Sequence, residues 1–116
     1  MAVDPRKYLA DMLKAGAALE EFTQGKSYLD YEASLLLRSA VERQLEIVGE
    51  ALNQLLIHAP LLEQRFMYRR QIKGFRNVLA HEYMDVDNAI VWGVLERFLP
   101  ELMREAGDLL AELNLT

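Results

Sequence analysis

Apolar residues recur every three or four positions along most of this chain, and this periodicity restricts the fold more than any other feature. The spacing is clearest in a set that would share one side of a helix: Leu37, Val41, Leu45, Val48, Leu52 and Leu55. The two-residue alternation typical of strands is missing from the sequence, and three prolines and six glycines provide few breaks. The sequence therefore predicts an all-α fold.

Capping residues and prolines predict where the first helices begin and end. Asp4 followed by Pro5 is typical of a helix start, and this helix should end near Gly25. A longer helix is predicted from about Asp30 to His58, before Pro60.

The second half of the chain predicts further helices. A short helical segment over residues 61–68 should precede a third main helix near residues 72–83. Asp85 or Asp87 should cap a last helix, which Pro100 should kink or divide. All 116 residues are predicted to form a single domain, an up-and-down bundle of four or five helices.

Composition narrows the class of protein. The chain is 52% hydrophobic with a mean hydropathy of −0.04, as expected for a soluble globular domain. It has no cysteine, which excludes disulfides and thiolate metal sites. We find no signal peptide and no apolar run near the roughly 20 residues that cross a bilayer. We therefore expect a cytoplasmic protein without a membrane segment.

The charge is distributed unevenly. The chain carries −5, yet residues 61–80 hold five cations and one anion, a net charge of +4, so the remainder carries −9. The cations of this segment are Arg65, Arg69, Arg70, Lys73 and Arg76. Such a segment could contact RNA phosphates, and a solvated helix face would have the same composition.

The segment "GFRNVLAHEYMDVD", residues 74–87, places several reactive groups on one face of a helix. The polar arc of this predicted helix holds Lys73, Arg76, Asn77, Ala80, His81 and Tyr83. The opposite arc, predicted to pack inward, holds Ile72, Phe75, Val78 and Leu79. Small Ala80 would leave a shallow floor within the polar arc. An ordinary solvated face is the alternative interpretation.

These groups suit phosphodiester chemistry. Arg76 could grip a phosphate and offset the charge of a pentacovalent transition state. Histidine side chains change charge near neutral pH, so His81 could move a proton to or from a reacting oxygen. The 2′-hydroxyl of RNA could then attack without a metal or another cofactor. The reaction needs a base and an acid, so a two-fold dimer that joins two polar arcs would supply both histidines.

Three blocks of sequence together resemble the HepT-like proteins, a prokaryotic branch of the HEPN superfamily. They are "SAVERQLEIVGEALNQL", "FRNVLAHEYMDVD" and "VWGVLERFLPEL", and the second contains the family signature of arginine, four residues, histidine, one residue and tyrosine. The resemblance implies a helical bundle that dimerises through its motif helices. It also implies a metal-independent endoribonuclease that acts as a toxin, paired with an MNT-type nucleotidyltransferase antitoxin.

The resemblance also implies roles for individual residues. Arg76 and His81 would be catalytic, Asn77 would orient them, and Tyr83 would be the residue to which the antitoxin adds AMP. Glu82 departs from the family pattern, since many relatives have glycine there, and its charge could raise the pKa of the histidine or repel substrate.

Two further features of the chain allow more than one interpretation. Glu42, Glu46 and Glu50 are spaced by four, which is more typical of a solvated or arginine-pairing stripe than of a metal site, and they could brace Arg76 or Lys73. Alternative functions are a non-catalytic nucleotide-binding or interaction subunit of a nucleotidyltransferase complex, and a purely structural helical dimer.

Overall fold

The chain is mostly helical over the ranges that the computed structural model describes, residues 3–81 and 86–115. These ranges contain six α-helices and one 3-10 helix, and no strand. The α-helices are α1 (Pro5–Thr23), α2 (Tyr28–Ala33), α3 (Leu35–His58), α4 (Arg69–His81), α5 (Asn88–Arg97) and α6 (Leu99–Asn114). The 3-10 helix, Pro60–Arg65, lies where a short helical segment was predicted. The all-α prediction is confirmed.

Helix α3 is the centre of the packing. It contacts α1, α2 and α4, while α6 packs on α1 and α5. The largest fully buried side chains include Leu9, Met12, Tyr31, Leu52, Phe66 and Leu102. Gly16 of α1 leaves room for the side chain of Met103 of α6, because a Cβ atom on Gly16 would lie 2.0 Å from the Sδ atom of Met103. The core therefore forms around α1, which packs on both α3 and α6.

The predicted helix from Asp30 to His58 is divided at Ser34. Ser34 has an extended backbone (φ −115°, ψ 108°), and its hydroxyl accepts a hydrogen bond of 3.1 Å from the backbone N–H of Leu37. A serine side chain that satisfies a free N–H in this way favours a helix start over a helix interior. The short α2 is thereby separated from α3, which adds one helix to the predicted bundle.

The predicted boundaries near the end of the chain agree with the structure. Asp87 caps α5 by accepting a hydrogen bond of 2.8 Å from the backbone N–H of Ala89. Asp85, the other predicted cap, lies outside the described residues. Pro100 occupies the first turn of α6, where its missing N–H leaves no helical bond unmade. The last predicted helix is accordingly divided into α5 and α6.

Among the helices of the described ranges, none is both long and apolar enough to cross a membrane.

Candidate active site

Helix α4 carries the first part of the motif and packs chiefly on α3. Ile72 and Phe75 are 4% and 9% exposed, so they form its inward side, as predicted. Val78 was predicted to pack inward, and this is wrong, because its side chain is 41% exposed. Val78 lies at the far edge of the apolar arc, on a part of the α4 surface that α3 does not cover.

Arg76 lies at the other edge of that arc, against a glycine of α3. A Cβ atom on Gly49 would be 2.5 Å from the Cβ atom of Arg76 and 2.8 Å from its Cγ atom. Only glycine fits at this distance. Gly49 therefore lets α4 approach α3 and presses the stem of the Arg76 side chain against the core.

The guanidinium of Arg76 is held by two side chains. Its Nη2 atom forms an ion pair with a carboxylate oxygen of Glu50, and its Nη1 atom donates a hydrogen bond of 2.9 Å to Oδ1 of Asn77. The other oxygen of Glu50 accepts a hydrogen bond of 3.1 Å from Nε2 of Gln54. The suggestion that a glutamate of α3 braces Arg76 is thus confirmed for Glu50.

The Arg76 guanidinium still has donors to offer. A guanidinium has five N–H donors, and Glu50 and Asn77 engage only the two terminal nitrogens. Within the described ranges, Nε of Arg76 is buried and has no hydrogen-bond partner. With 29% of its side chain exposed, Arg76 is positioned firmly and remains able to bind a phosphate.

A groove of about 310 Å³ opens beside Arg76 between α1, α3 and α4. Its lining includes Tyr8 and Asp11 of α1, and Arg43, Glu46, Glu50 and Gln54 of α3. Tyr8, Asp11 and Gln54 were not predicted as site residues, because only the fold brings them to the same groove as Arg76. The spacing of four between Glu46, Glu50 and Gln54 was the signal available for the α3 residues.

The remaining motif residues are only partly described. His81 is the last residue of α4, and its side chain lies outside the described part of the structure. Glu82 and Tyr83 also lie outside the described residues. The roles of His81 and Tyr83 are therefore proposals.

The basic segment separates into paired and unpaired cations. Arg65 forms an ion pair with Glu112 of α6. Arg69 bonds Glu63 at 3.1 Å and the carbonyl oxygen of Phe66 at 3.0 Å, and it is 19% exposed.

Arg70 and Lys73 are exposed, and within residues 3–81 and 86–115 neither forms an ion pair. Both line a second groove of about 350 Å³ between α3 and the start of α4. Within the basic segment, the positive charge that is not paired with a carboxylate therefore lies on these two residues.

The three glutamates of α3 have separate environments. Glu46 lies one turn before Glu50, and its Oε2 atom is 3.8 Å from Nη1 of Arg43. Burial raises the pKa of the Glu42 carboxyl, while the charge of Arg38 acts in the opposite direction. In the part of the chain that is described, no three His, Asp or Glu side chains come together as metal ligands.

Comparison with known proteins gives relatives whose names include ribonuclease. A protein of Methanocaldococcus jannaschii, named as a gamma-glutamylcyclotransferase and "putative RNase", is 30% identical over 98% of this chain, which spans about half (51%) of that relative. A "Putative RNase" of Caldanaerobacter subterraneus is 32% identical, covering 91% of this chain and 94% of the relative. A "Probable ribonuclease HepT" of Thermococcus cleftensis is 30% identical, covering 84% and 87%. No solved structure matches the chain.

The model of one protein family covers most of the sequence. It matches residues 12–109, from α1 to α6, and includes the whole of α3 and α4. Its description is "Ribonuclease HepT-like". The chain belongs to the HepT-like ribonuclease family.

Proposed function

We propose that the chain is a metal-independent endoribonuclease whose active site is completed across a two-fold dimer. The observation that carries this proposal is the Arg76 guanidinium, held by Glu50 and Asn77 at the edge of α4 with further donors left for a phosphate. Membership of a ribonuclease family supports RNA as the substrate.

The proposed reaction uses the 2′-hydroxyl of the RNA as the nucleophile. One His81 removes the proton of that hydroxyl, its oxygen attacks phosphorus, and the bond to the 5′-oxygen breaks. The second His81 of the dimer protonates the departing 5′-oxygen, leaving a 2′,3′-cyclic phosphate. Arg76 binds the phosphate and offsets the charge that develops on it, while Asn77 orients the guanidinium.

RNA is proposed to reach this site along the basic part of α4. Lys73 precedes Arg76 by one turn, and Arg70 lies one turn earlier, so both can contact phosphates on the same strand. Arg65 and Arg69 are further proposed contacts. Arg65 already pairs with Glu112, and Arg69 already pairs with Glu63. An RNA phosphate would therefore have to share each arginine with its carboxylate.

The proposed biological setting is a cytoplasmic toxin–antitoxin pair. An MNT-type nucleotidyltransferase would silence the nuclease by transferring AMP to Tyr83, two residues after His81. The added nucleotide would bring bulk and negative charge to the place where RNA phosphate binds. Modification of Tyr83 and cleavage of RNA would then exclude each other.

The test is cleavage of RNA by the purified protein in the presence of a chelator. We expect products with 2′,3′-cyclic phosphate ends, which are lost in Arg76→Ala and in His81→Ala. Arg104→Ala, which removes an exposed arginine of α6, serves as the matched control and should cleave at the wild-type rate. Undiminished cleavage by His81→Ala would reject the catalytic assignment.

A second candidate is a non-catalytic nucleotide-binding or interaction subunit of a nucleotidyltransferase complex. The net charge of −5 favours it, as does the engagement of Arg65, Arg69 and Arg76 by carboxylates. It predicts that expression of the chain alone does not arrest growth. It also predicts that calorimetry detects partner or nucleotide binding without RNA cleavage.

A further inference from the structure

We propose that Glu50 is a positioning residue that fixes the guanidinium of Arg76 for phosphate binding. This inference rests on the proposed ribonuclease function, and it assigns a role to a residue outside the motif. Glu50 belongs to α3 and Arg76 to α4, so the contact joins two separate helices.

The contact holds the guanidinium from two sides. Glu50 pairs with Nη2 while Asn77 accepts a hydrogen bond from Nη1. Gln54 donates to the other oxygen of Glu50, which restrains the carboxylate itself. Two hydrogen bonds and one ion pair therefore connect four side chains in a row, from Gln54 through Glu50 and Arg76 to Asn77.

The aliphatic part of the Arg76 side chain is restrained as well as its guanidinium. Gly49 places the backbone of α3 so close that a Cβ atom there would lie 2.5 Å from the Cβ atom of Arg76. Gly49 and Glu50 are consecutive, so one turn of α3 restrains both ends of the same side chain. A long arginine side chain normally loses conformational entropy when it binds a ligand. The Arg76 side chain is already ordered by α3, so RNA binding would cost less entropy at this residue.

An alternative interpretation is that Glu50 is a latch, which occupies Arg76 and must leave before phosphate binds. The geometry favours positioning. Glu50 and Asn77 each engage one terminal nitrogen of Arg76, and each of these nitrogens carries a second N–H group that can bind a phosphate while the pair with Glu50 persists. The two interpretations predict opposite effects when the carboxylate is removed.

The kinetic test compares Glu50→Gln with wild type. We expect kcat for RNA cleavage to fall on the order of 100-fold, the usual effect of a misplaced catalytic group, with a smaller change in KM. Glu50→Asp keeps the charge and should recover part of the loss. Glu101→Gln is the matched control, because it breaks a glutamate–arginine pair within α6, and it should leave kcat unchanged. The melting temperature of every variant shows whether the fold is retained.

An NMR measurement tests the contact independently of RNA cleavage. In wild type, the held guanidinium should give separate side-chain NH signals for Arg76, and in Glu50→Gln these signals should merge or broaden. Wild-type kcat or faster cleavage in Glu50→Gln, or unchanged Arg76 signals, would overturn the positioning role. A wild-type protein that cuts no RNA would instead overturn the proposed function, while the NMR comparison would still decide whether Glu50 holds Arg76.

Discussion

At the scale of single residues, the behaviour of Arg76 depends on its neighbours in α3. Gly49 leaves space for the Cβ and Cγ atoms of Arg76, and Glu50 forms an ion pair with its guanidinium. An arginine elsewhere on a solvated helix would sample many rotamers and bind phosphate at an entropic cost. The chemistry proposed for Arg76 therefore requires the contact between α3 and α4 as much as the motif itself.

Substituting Gly49 with alanine should disturb this contact. The added methyl group would overlap Arg76 at its Cβ atom, which cannot swing away as the end of a flexible side chain could. We expect a loss of about 1–3 kcal/mol in the free energy of unfolding, together with slower RNA cleavage. Urea denaturation and a cleavage assay measure the two effects.

Gly107→Ala is the matched control for this substitution. A Cβ atom on Gly107 of α6 would have nothing within 4 Å, and alanine favours helices by up to about 1 kcal/mol over glycine. Its stability should rise or stay level and its activity should be unchanged. If Gly49→Ala behaved in the same way, the close approach of α3 and α4 would be refuted.

The sequence allowed part of this site to be predicted. Helical periodicity separated Arg76 and Asn77 from the buried Ile72 and Phe75. The same periodicity placed Val78 in the core, which is wrong. A helical wheel gives the direction of a side chain, but it does not show how much of the helix surface a neighbouring helix covers. It also left Glu50 as one of several glutamates, because a contact between helices depends on how they pack.

At the scale of helices, local hydrogen bonds decide where each element begins. Asp4 and Asp87 cap α1 and α5, and Pro100 marks the start of α6, all as predicted from residue type. Ser34 was not recognised, because the apolar residues on both sides continue the helical pattern through it. The periodicity of apolar residues predicts which positions are buried, whereas the start of a helix depends on a single capping side chain.

Replacing Ser34 with alanine should remove the hydrogen bond that starts α3. We expect a loss of about 1 kcal/mol in the free energy of unfolding, measured by thermal or urea denaturation. Ser39→Ala, at an exposed position inside the same helix, should be neutral or slightly stabilising. Equal stability of the two variants would contradict the assignment of Ser34 as a cap.

At the scale of the whole molecule, an acidic protein is proposed to bind an acidic polymer. The net charge of −5 opposes RNA binding in general, so affinity has to come from a local group of cations. Arg70 and Lys73 are the exposed cations of the basic segment that form no ion pair within the described ranges. Binding should therefore be strongly dependent on salt.

The double variant Arg70→Gln/Lys73→Gln should weaken RNA binding and reduce its salt dependence. Each lost phosphate contact should lower the slope of log affinity against log salt by about 0.7 for single-stranded RNA. A 2′-deoxy oligonucleotide, which lacks the attacking hydroxyl, allows binding to be titrated without cleavage. Arg104→Gln on α6 should leave the slope unchanged, and an equal effect of both variants would argue against a local binding site.

Arginine and histidine from two subunits are proposed to act on one RNA linkage, and an experiment with mixed subunits can show whether both chains are needed. Wild-type chains are refolded with an equal amount of Arg76→Ala/His81→Ala chains, and RNA cleavage is measured at constant total protein. Random pairing into two-fold dimers predicts about one quarter of the undiluted wild-type activity, since only dimers of two wild-type chains keep both sets of groups. Retention of about half the activity would show that each subunit cleaves RNA alone, and would contradict a shared site.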